Sequence, residues 1–258
     1  MSTLHTYLLA LAVIAALAIA TWLVSVVKKD ASIVDSLWSI LFLAPATVYV
    51  FVEPGPSERA LLMWALVAVW ALRLAVYITA RNWGEEEDRR YQAIRRRNGP
   101  NFALKSLYLV FLFQGVLASV VSLPLLAIAR GSAPFGLLDY VGAGIVIFGV
   151  LFESIGDWQL SRFKANPSNA GKVMDTGLWR YTRHPNYFGE CCVWWGFYAL
   201  ALSAGGWWTV IGPAIMTVML LKVSGVALLE KDIAKRRPEY QRYIQQTNAF
   251  IPGPPRKL

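Results

Sequence analysis

The chain has 258 residues, 56% of them hydrophobic and only 16% charged, with a mean hydropathy of +0.44. A soluble globular domain is usually nearer a quarter charged, so these figures exclude an ordinary soluble protein and point to an integral membrane protein. The formal charge of +9 does not call for nucleic acid, because basic loops on one membrane face account for it.

Apolar runs of about 18 residues or more, the length a bilayer demands, predict an all-α integral membrane protein. Seven transmembrane helices are expected at about 4–27, 33–52, 60–80, 104–129, 137–160, 187–204 and 207–228, with a tail over 229–258. The first run is too long for a signal-peptide core, and Met1–Thr6 carries no Lys or Arg, so it reads as a retained helix. Lys28-Lys29-Asp30 marks the first turn, and Glu53-Pro54-Gly55-Pro56-Ser57 breaks the chain after the second span. Glu85-Glu86-Glu87-Asp88 before Arg89-Arg90 reads as a solvated helical loop whose charges pair locally, or as the cover of a pocket mouth. Gly205-Gly206 separates the last two spans.

All but four of the 25 basic residues fall in alternate loops and the tail; the exceptions are Arg59, Arg73, Arg130 and Lys222. The positive-inside rule then places the N-terminus outside and the C-terminus in the cytoplasm. No internal repeat is visible, which argues against an inverted-repeat transporter. The expectation is a single seven-helix domain over 1–258 acting as a monomer in the lipid bilayer. Cys191 and Cys192 are adjacent and read as packing residues, and His5 and His184 are the only histidines, so no metal site is expected.

Ionisable residues inside spans need a partner or a function. Asp35 begins the second span, Arg73 lies in the third, Glu153 and Asp157 are one turn apart near the end of the fifth, Glu190 is in the first turn of the sixth, Lys222 is in the seventh, and Glu230 lies just beyond it. Structural ion pairs account for any one of them. As a set they fall in the cytoplasmic half, which a polar chamber open to the cytoplasm under an apolar one explains better. Such a chamber suits a charged, water-soluble cofactor and a lipid-like substrate. The loop over 161–186 adds Arg162, Lys164, Lys172, Arg180, Arg183 and His184 beside Asp157, with Asn186 at the start of the sixth span. Basic groups at this density recognise phosphates, of a cofactor or of anionic lipid heads.

The segment Gly177-Leu178-Trp179-Arg180-Tyr181-Thr182-Arg183-His184-Pro185-Asn186-Tyr187-Phe188-Gly189-Glu190, with Leu229-Glu230-Lys231-Asp232, Arg237-Pro238-Glu239-Tyr240-Gln241-Arg242-Tyr243 and Thr247-Asn248-Ala249-Phe250-Ile251-Pro252, resembles the steroid 5α-reductase family, and its bacterial branch most. Roughly 150–255 carries the resemblance; the first half is similar in topology and loose in sequence. The resemblance implies seven helices, a cytoplasmic tail, NADPH as cofactor and a bacterial inner-membrane location. It implies a cofactor site of Glu153, Asp157, Arg162, Lys164, Lys172, Tyr181, Arg183, His184, Asn186, Tyr187, Glu190, Lys222, Glu230 and Lys231, with Glu190 also facing the substrate.

The reaction this implies is reduction of the C=C bond of a conjugated enone in a hydrophobic substrate, a 4-ene-3-ketosteroid above all. A donor at the carbonyl oxygen lowers the barrier. In the family a carboxyl group on the second span works with a tyrosine on the third. Asp35 matches the carboxyl group, and an apolar surround would favour its neutral, donating form. Trp70 stands where the tyrosine is expected, three positions before Arg73, so Tyr77, one turn after Arg73, takes the catalytic role beside Asp35. Trp38, Trp70 and Arg73 complete the expected substrate site. The alternative is an S-adenosylmethionine-dependent membrane methyltransferase of the isoprenylcysteine type, which also uses an Arg-His-Pro loop entering a helix and a later acidic segment.

Overall fold

Ser2 opens the first helix by accepting the His5 N–H at 3.3 Å, and Lys29 closes it in the left-handed conformation, φ 56°. In the computed structural model, which describes residues 1–52, 54–223, 225–227, 229–230, 233 and 238–256, helices follow one another and no strand occurs among the described residues. They are α1 (Thr3–Lys28), α2 (Ile33–Trp38), α3 (Ile40–Phe51), α4 (Glu58–Asn82), α5 (Arg89–Asn98), α6 (Phe102–Ser106), α7 (Phe113–Val121), α8 (Leu123–Arg130), α9 (Leu137–Ala165), α10 (Pro185–Ser203), α11 (Ile211–Val218) and α12 (Glu239–Gln246). Wide π-type turns over Leu107–Leu112 and Met219–Val223 interrupt the helical ladder before α7 and after α11.

Five stretches are long and apolar enough to cross a membrane: Thr3–Lys28, Ile33–Phe51, Glu58–Asn82, Arg89–Val121 and Leu137–Ala165. They match the first five predicted spans closely, except that the fourth begins at Arg89 and ends at Val121, with 123–130 forming the separate α8. The sixth predicted span coincides with the 19-residue α10, which is long enough but diluted by Asn186, Glu190 and its aromatic polar groups. The seventh coincides with the shorter apolar stretch Trp207–Val223.

The chain divides into two compact units, one of Met1–Phe135 with Ala201–Thr209, the other of Gly136–Leu200 with Val210–Leu258. In the first, α1, α3, α4, α7 and α8 pack around buried Ile14, Leu41, Phe42, Met63, Trp70, Phe111 and Leu125. The Ser39 hydroxyl donates to the Ala71 carbonyl at 2.8 Å and ties the α2–α3 junction to α4. Arg59 is buried because its guanidinium donates to the carbonyls of Ala133 and Pro134, at 2.8 and 2.7 Å.

In the second unit α9 and α10 meet through glycines seven residues apart, Gly142, Gly149 and Gly156 on α9, Gly189 and Gly196 on α10. A Cβ on Gly149 would stand 2.6 Å from the Gly189 carbonyl oxygen, and one on Gly196 would stand 2.7 Å from the Val146 nitrogen. Only hydrogen fits there, so the two backbones touch, as in small-residue seams of membrane helices. Glu153 and Asp157 share this buried face of α9, while Phe148, Leu151, Ile155 and Trp158 form an exposed apolar stripe on another face.

Candidate functional site

In the first unit a polar cluster forms around Asp35. Asp35 in the first turns of α2 accepts the Tyr91 hydroxyl through Oδ1 at 2.6 Å and the Arg90 guanidinium through Oδ2 at 2.6 Å. Arg90 is itself held by Asp88, which caps α5 and accepts the Arg90 Nε–H at 2.9 Å. Gln114 on α7 donates to the Tyr91 oxygen at 3.3 Å. Tyr91 is buried among Ala31, Val34, Phe102 and Phe111, so its phenol is a polar tip in an apolar nest. Asp35 therefore has an ion pair and a phenol around it, where an apolar surround was expected. The tyrosine that meets it is Tyr91, which the sequence reading did not single out.

Tyr77 lies half-buried on α4 with the Arg81 guanidinium 5.8 Å from its ring centroid. Trp38, Phe42 and Trp70 form an edge-to-face chain with centroids 5.0 and 5.7 Å apart, so Trp70 acts as a core residue. Arg73 is half-buried on α4. An open apolar groove over Ala75, Val76, Thr79, Ala80 and Trp83 carries none of this chemistry.

In the loop 84–88, Glu85 and Glu86 are exposed, while Glu87 and Asp88 are half-buried and paired. Glu87 accepts the Ala31 N–H at 2.8 Å and the Arg95 guanidinium at 2.7 and 2.9 Å. Burial pushes the Glu87 carboxyl up, and these hydrogen bonds outweigh it and hold it below its ordinary value. The local pairing expected of this run is present, and it also pins α5 to the turn between α1 and α2.

The second unit holds a denser cluster. Arg183 presents Nε and Nη2 to the two oxygens of Glu230, at 2.7 and 2.8 Å, in a bidentate fork. Its Nη1 donates to the carbonyls of Ile244, at 3.2 Å, and Thr247. His184 Nε2 lies 2.9 Å from Glu230 Oε1, which requires the proton on Nε2, and its ring stacks on Tyr187 with centroids 5.5 Å apart. The Tyr240 hydroxyl approaches the same oxygen at 3.5 Å. Burial pushes the Glu230 carboxyl up, but hydrogen bonds from His184 and Arg183 and the Arg183 charge bring it down to about 2.

Around this latch the loop 177–184 is sewn to its neighbours. Leu178 N–H donates to Gln159 Oε1 at 2.9 Å and Trp179 Nε1 to the Gly156 carbonyl at 3.0 Å. Tyr243 donates to the Trp179 carbonyl, Thr182 to the Phe250 carbonyl at 2.8 Å, Arg183 N–H to the Asn248 carbonyl at 2.9 Å, and Gly253 N–H to the Tyr181 carbonyl at 3.0 Å.

The expected cofactor residues thus separate. Arg183 was expected on a phosphate, but all its donor groups are engaged by Glu230 and backbone carbonyls, and its side chain is only 7% exposed. His184 is likewise turned to Glu230. Arg162 stacks on Trp158, 5.2 Å from its ring, and continues the exposed apolar stripe. It stands five residues from Asp157, about 140° around the helix, whereas Lys164, seven residues on, shares the Asp157 face. Lys164, Lys172 and Tyr181 are exposed; Glu153, Asp157 and Glu190 are buried; Tyr187 is half-buried. The Asn186 Oδ1, in the first turn of α10, is a buried acceptor with no hydrogen-bond partner among the described residues. Lys222 is exposed within the π-type turn, and Lys231 lies outside the described residues. Among the described residues no group of three metal-ligating side chains occurs.

The i, i+3 spacing of Tyr240 and Tyr243 is the sequence signal that places both on one face of α12. Tyr91 had a weaker signal, the lone aromatic in a charged run.

A family model described as a protein of unknown function, DUF1295, matches residues 21–247. An uncharacterized protein of Schizosaccharomyces pombe is 27% identical over 262 residues, covering 90% of this chain and 75% of that protein. No solved structure matches.

Proposed function

We propose that this chain, which belongs to the DUF1295 family, is a membrane-embedded reductase that uses NADPH to reduce the C=C bond of a conjugated enone in a hydrophobic, steroid-like substrate. The observation that carries the reading is the buried acceptor Asn186 Oδ1 beside the buried Asp157 face of α9. A Cβ on Gly156 would stand 3.5 Å from the Asn186 nitrogen, so α10 begins against the turn that carries Asp157. A buried amide oxygen left open costs free energy unless a ligand N–H meets it, and the carboxamide of a nicotinamide supplies such a donor.

The donor set fits the cofactor with a smaller phosphate site than the sequence suggested. Exposed Lys164 and Lys172 supply the cations for phosphate oxygens, whereas Arg183 and His184 hold the tail. NADPH, when bound, supplies the hydride. Tyr91, whose hydroxyl Asp35 holds at 2.6 Å beside the Arg90 ion pair, takes the proton-donor role assigned to Tyr77. On this reading the chain crosses a bacterial inner membrane seven times, with the N-terminus outside and the site open to the cytoplasm.

A second reading has one observation in its favour. The Arg-His-Pro loop meets Glu230, which is the pairing of loop and acidic segment expected of a methyltransferase of the isoprenylcysteine type. Thermal unfolding of the detergent-purified protein separates the two, because a bound ligand stabilises the native state by mass action, about 2.7 kcal/mol at a hundred times Kd. A shift with NADPH and none with S-adenosylmethionine is expected; the reverse would replace the reductase with the methyltransferase.

A further inference from the structure

We propose that the outward face of α5 is a docking surface for the phosphate headgroups of anionic phospholipids. The chain between α4 and α6 sorts its charges into two sets. Glu87 and Asp88 are neutralised within the fold by Arg95 and Arg90, which are half-buried. Arg89, Arg96 and Arg97 are exposed, and their guanidinium groups take part in no ion pair or hydrogen bond among the described residues. They lie at i, i+7 and i+8 and so share one side of the helix.

Lys28 and Lys29 are exposed at the turn to which α5 is pinned, by the Arg95 bond to the Lys29 carbonyl at 3.1 Å. Exposed Glu85 and Glu86 offset part of this charge and leave an excess of cations.

Two features set the level of this surface at a headgroup layer. Gly99, with φ 68°, ends α5, and the chain resumes as α6 and α7 with Leu104, Tyr108 and Phe113 exposed. In a chain with long apolar spans such side chains face lipid, and Arg96 and Arg97 stand only seven or eight residues before Leu104. Trp83, at the C-terminal end of α4, is 80% exposed, as an indole seated among headgroups is. Basic side chains immediately outside the hydrocarbon attract anionic lipid. The contiguity with lipid-facing apolar surface selects a lipid phosphate over a free one.

The test uses the full chain in nanodiscs of equal phosphatidylglycerol and phosphatidylcholine, with the lipids retained on the released protein counted by native mass spectrometry. The wild type is expected to retain phosphatidylglycerol in excess at low ionic strength. The triple variant R89Q/R96Q/R97Q should lose that excess, by about fivefold for each charge removed, while its thermal unfolding stays at the wild-type temperature. Arg242→Gln, an exposed cation on α12, should leave the excess intact. Equal retention in wild type and triple variant overturns the proposal. So does displacement of the lipid by millimolar inorganic pyrophosphate, which would mark a site for a soluble anion.

Discussion

Replacing Glu230 with glutamine should release the C-terminal segment from the loop 177–184 without unfolding the helices. The substitution keeps one carbonyl oxygen for Arg183 and removes the charge that both Arg183 and His184 face at 2.7 to 2.9 Å. Two estimates of the cost agree. Leaving a buried guanidinium without its carboxylate costs about 3–5 kcal/mol in a dry site, and Glu230, with its side chain 17% exposed, brings this nearer 2–4. The carboxyl also falls from an ordinary 4.5 to about 2 in the fold, which corresponds to about 3 kcal/mol, reduced toward 2 by its solvent-facing side. A loss of about 3 kcal/mol raises the open population roughly 150-fold. Hydrogen exchange at the amides of Gly253, Thr247 and Arg183, each bonded across the latch or at the end of α12, reads it directly. The sign with pH follows from the lowered carboxyl: the latch is at full strength above about 4.5 and weakens as pH falls toward about 2. Wild-type exchange rates in Glu230→Gln, or a latch that loosens as pH rises from 5 to 8, would refute the account.

Gly149→Leu should destabilise the second unit by several kcal/mol, because its Cβ meets backbone at 2.6 and 2.8 Å, whereas Gly144→Ala, with nothing within 4 Å, should be neutral or stabilising by up to about 1 kcal/mol; unfolding temperatures in one detergent compare them. Asp157→Ala and Asn186→Ala should each reduce the NADPH-induced thermal shift, and retention of the full shift in both would remove them from the cofactor site. Tyr91→Phe and Asp35→Ala should lower turnover about 100-fold with the NADPH shift retained; Tyr77→Phe should leave turnover unchanged, and a rate loss there in place of Tyr91 would reverse the assignment.

The helices were legible because apolar runs end at a polar cap or break: Ser57 before α4, Pro185 at the first position of α10, Gly205 after it. The partners were not. Arg183 looks like a phosphate ligand in the sequence, since nothing local reveals that Glu230 and the Thr247 carbonyl will occupy it. Tyr91 was hidden for the same reason, its carboxylate lying 56 positions earlier. The heptad of glycines in α9 and α10 was there to be read, but composition alone does not distinguish a backbone seam from tolerant loop glycines. The split of Asp157 and Arg162 onto different faces followed from helical period alone.

The latch also sets an order of events during synthesis. Arg183 is made 47 residues before Glu230 and 64 before Thr247. At 5–20 residues per second its last partner arrives about 3–13 s later. Until Glu230 is made the loop has a cationic fork and no anion to close on, and the latch is complete only once the chain has been made through Thr247. Messages cut short between the end of α11 and Glu230 would yield a protein with every apolar helix through α11 present and its cationic fork still open.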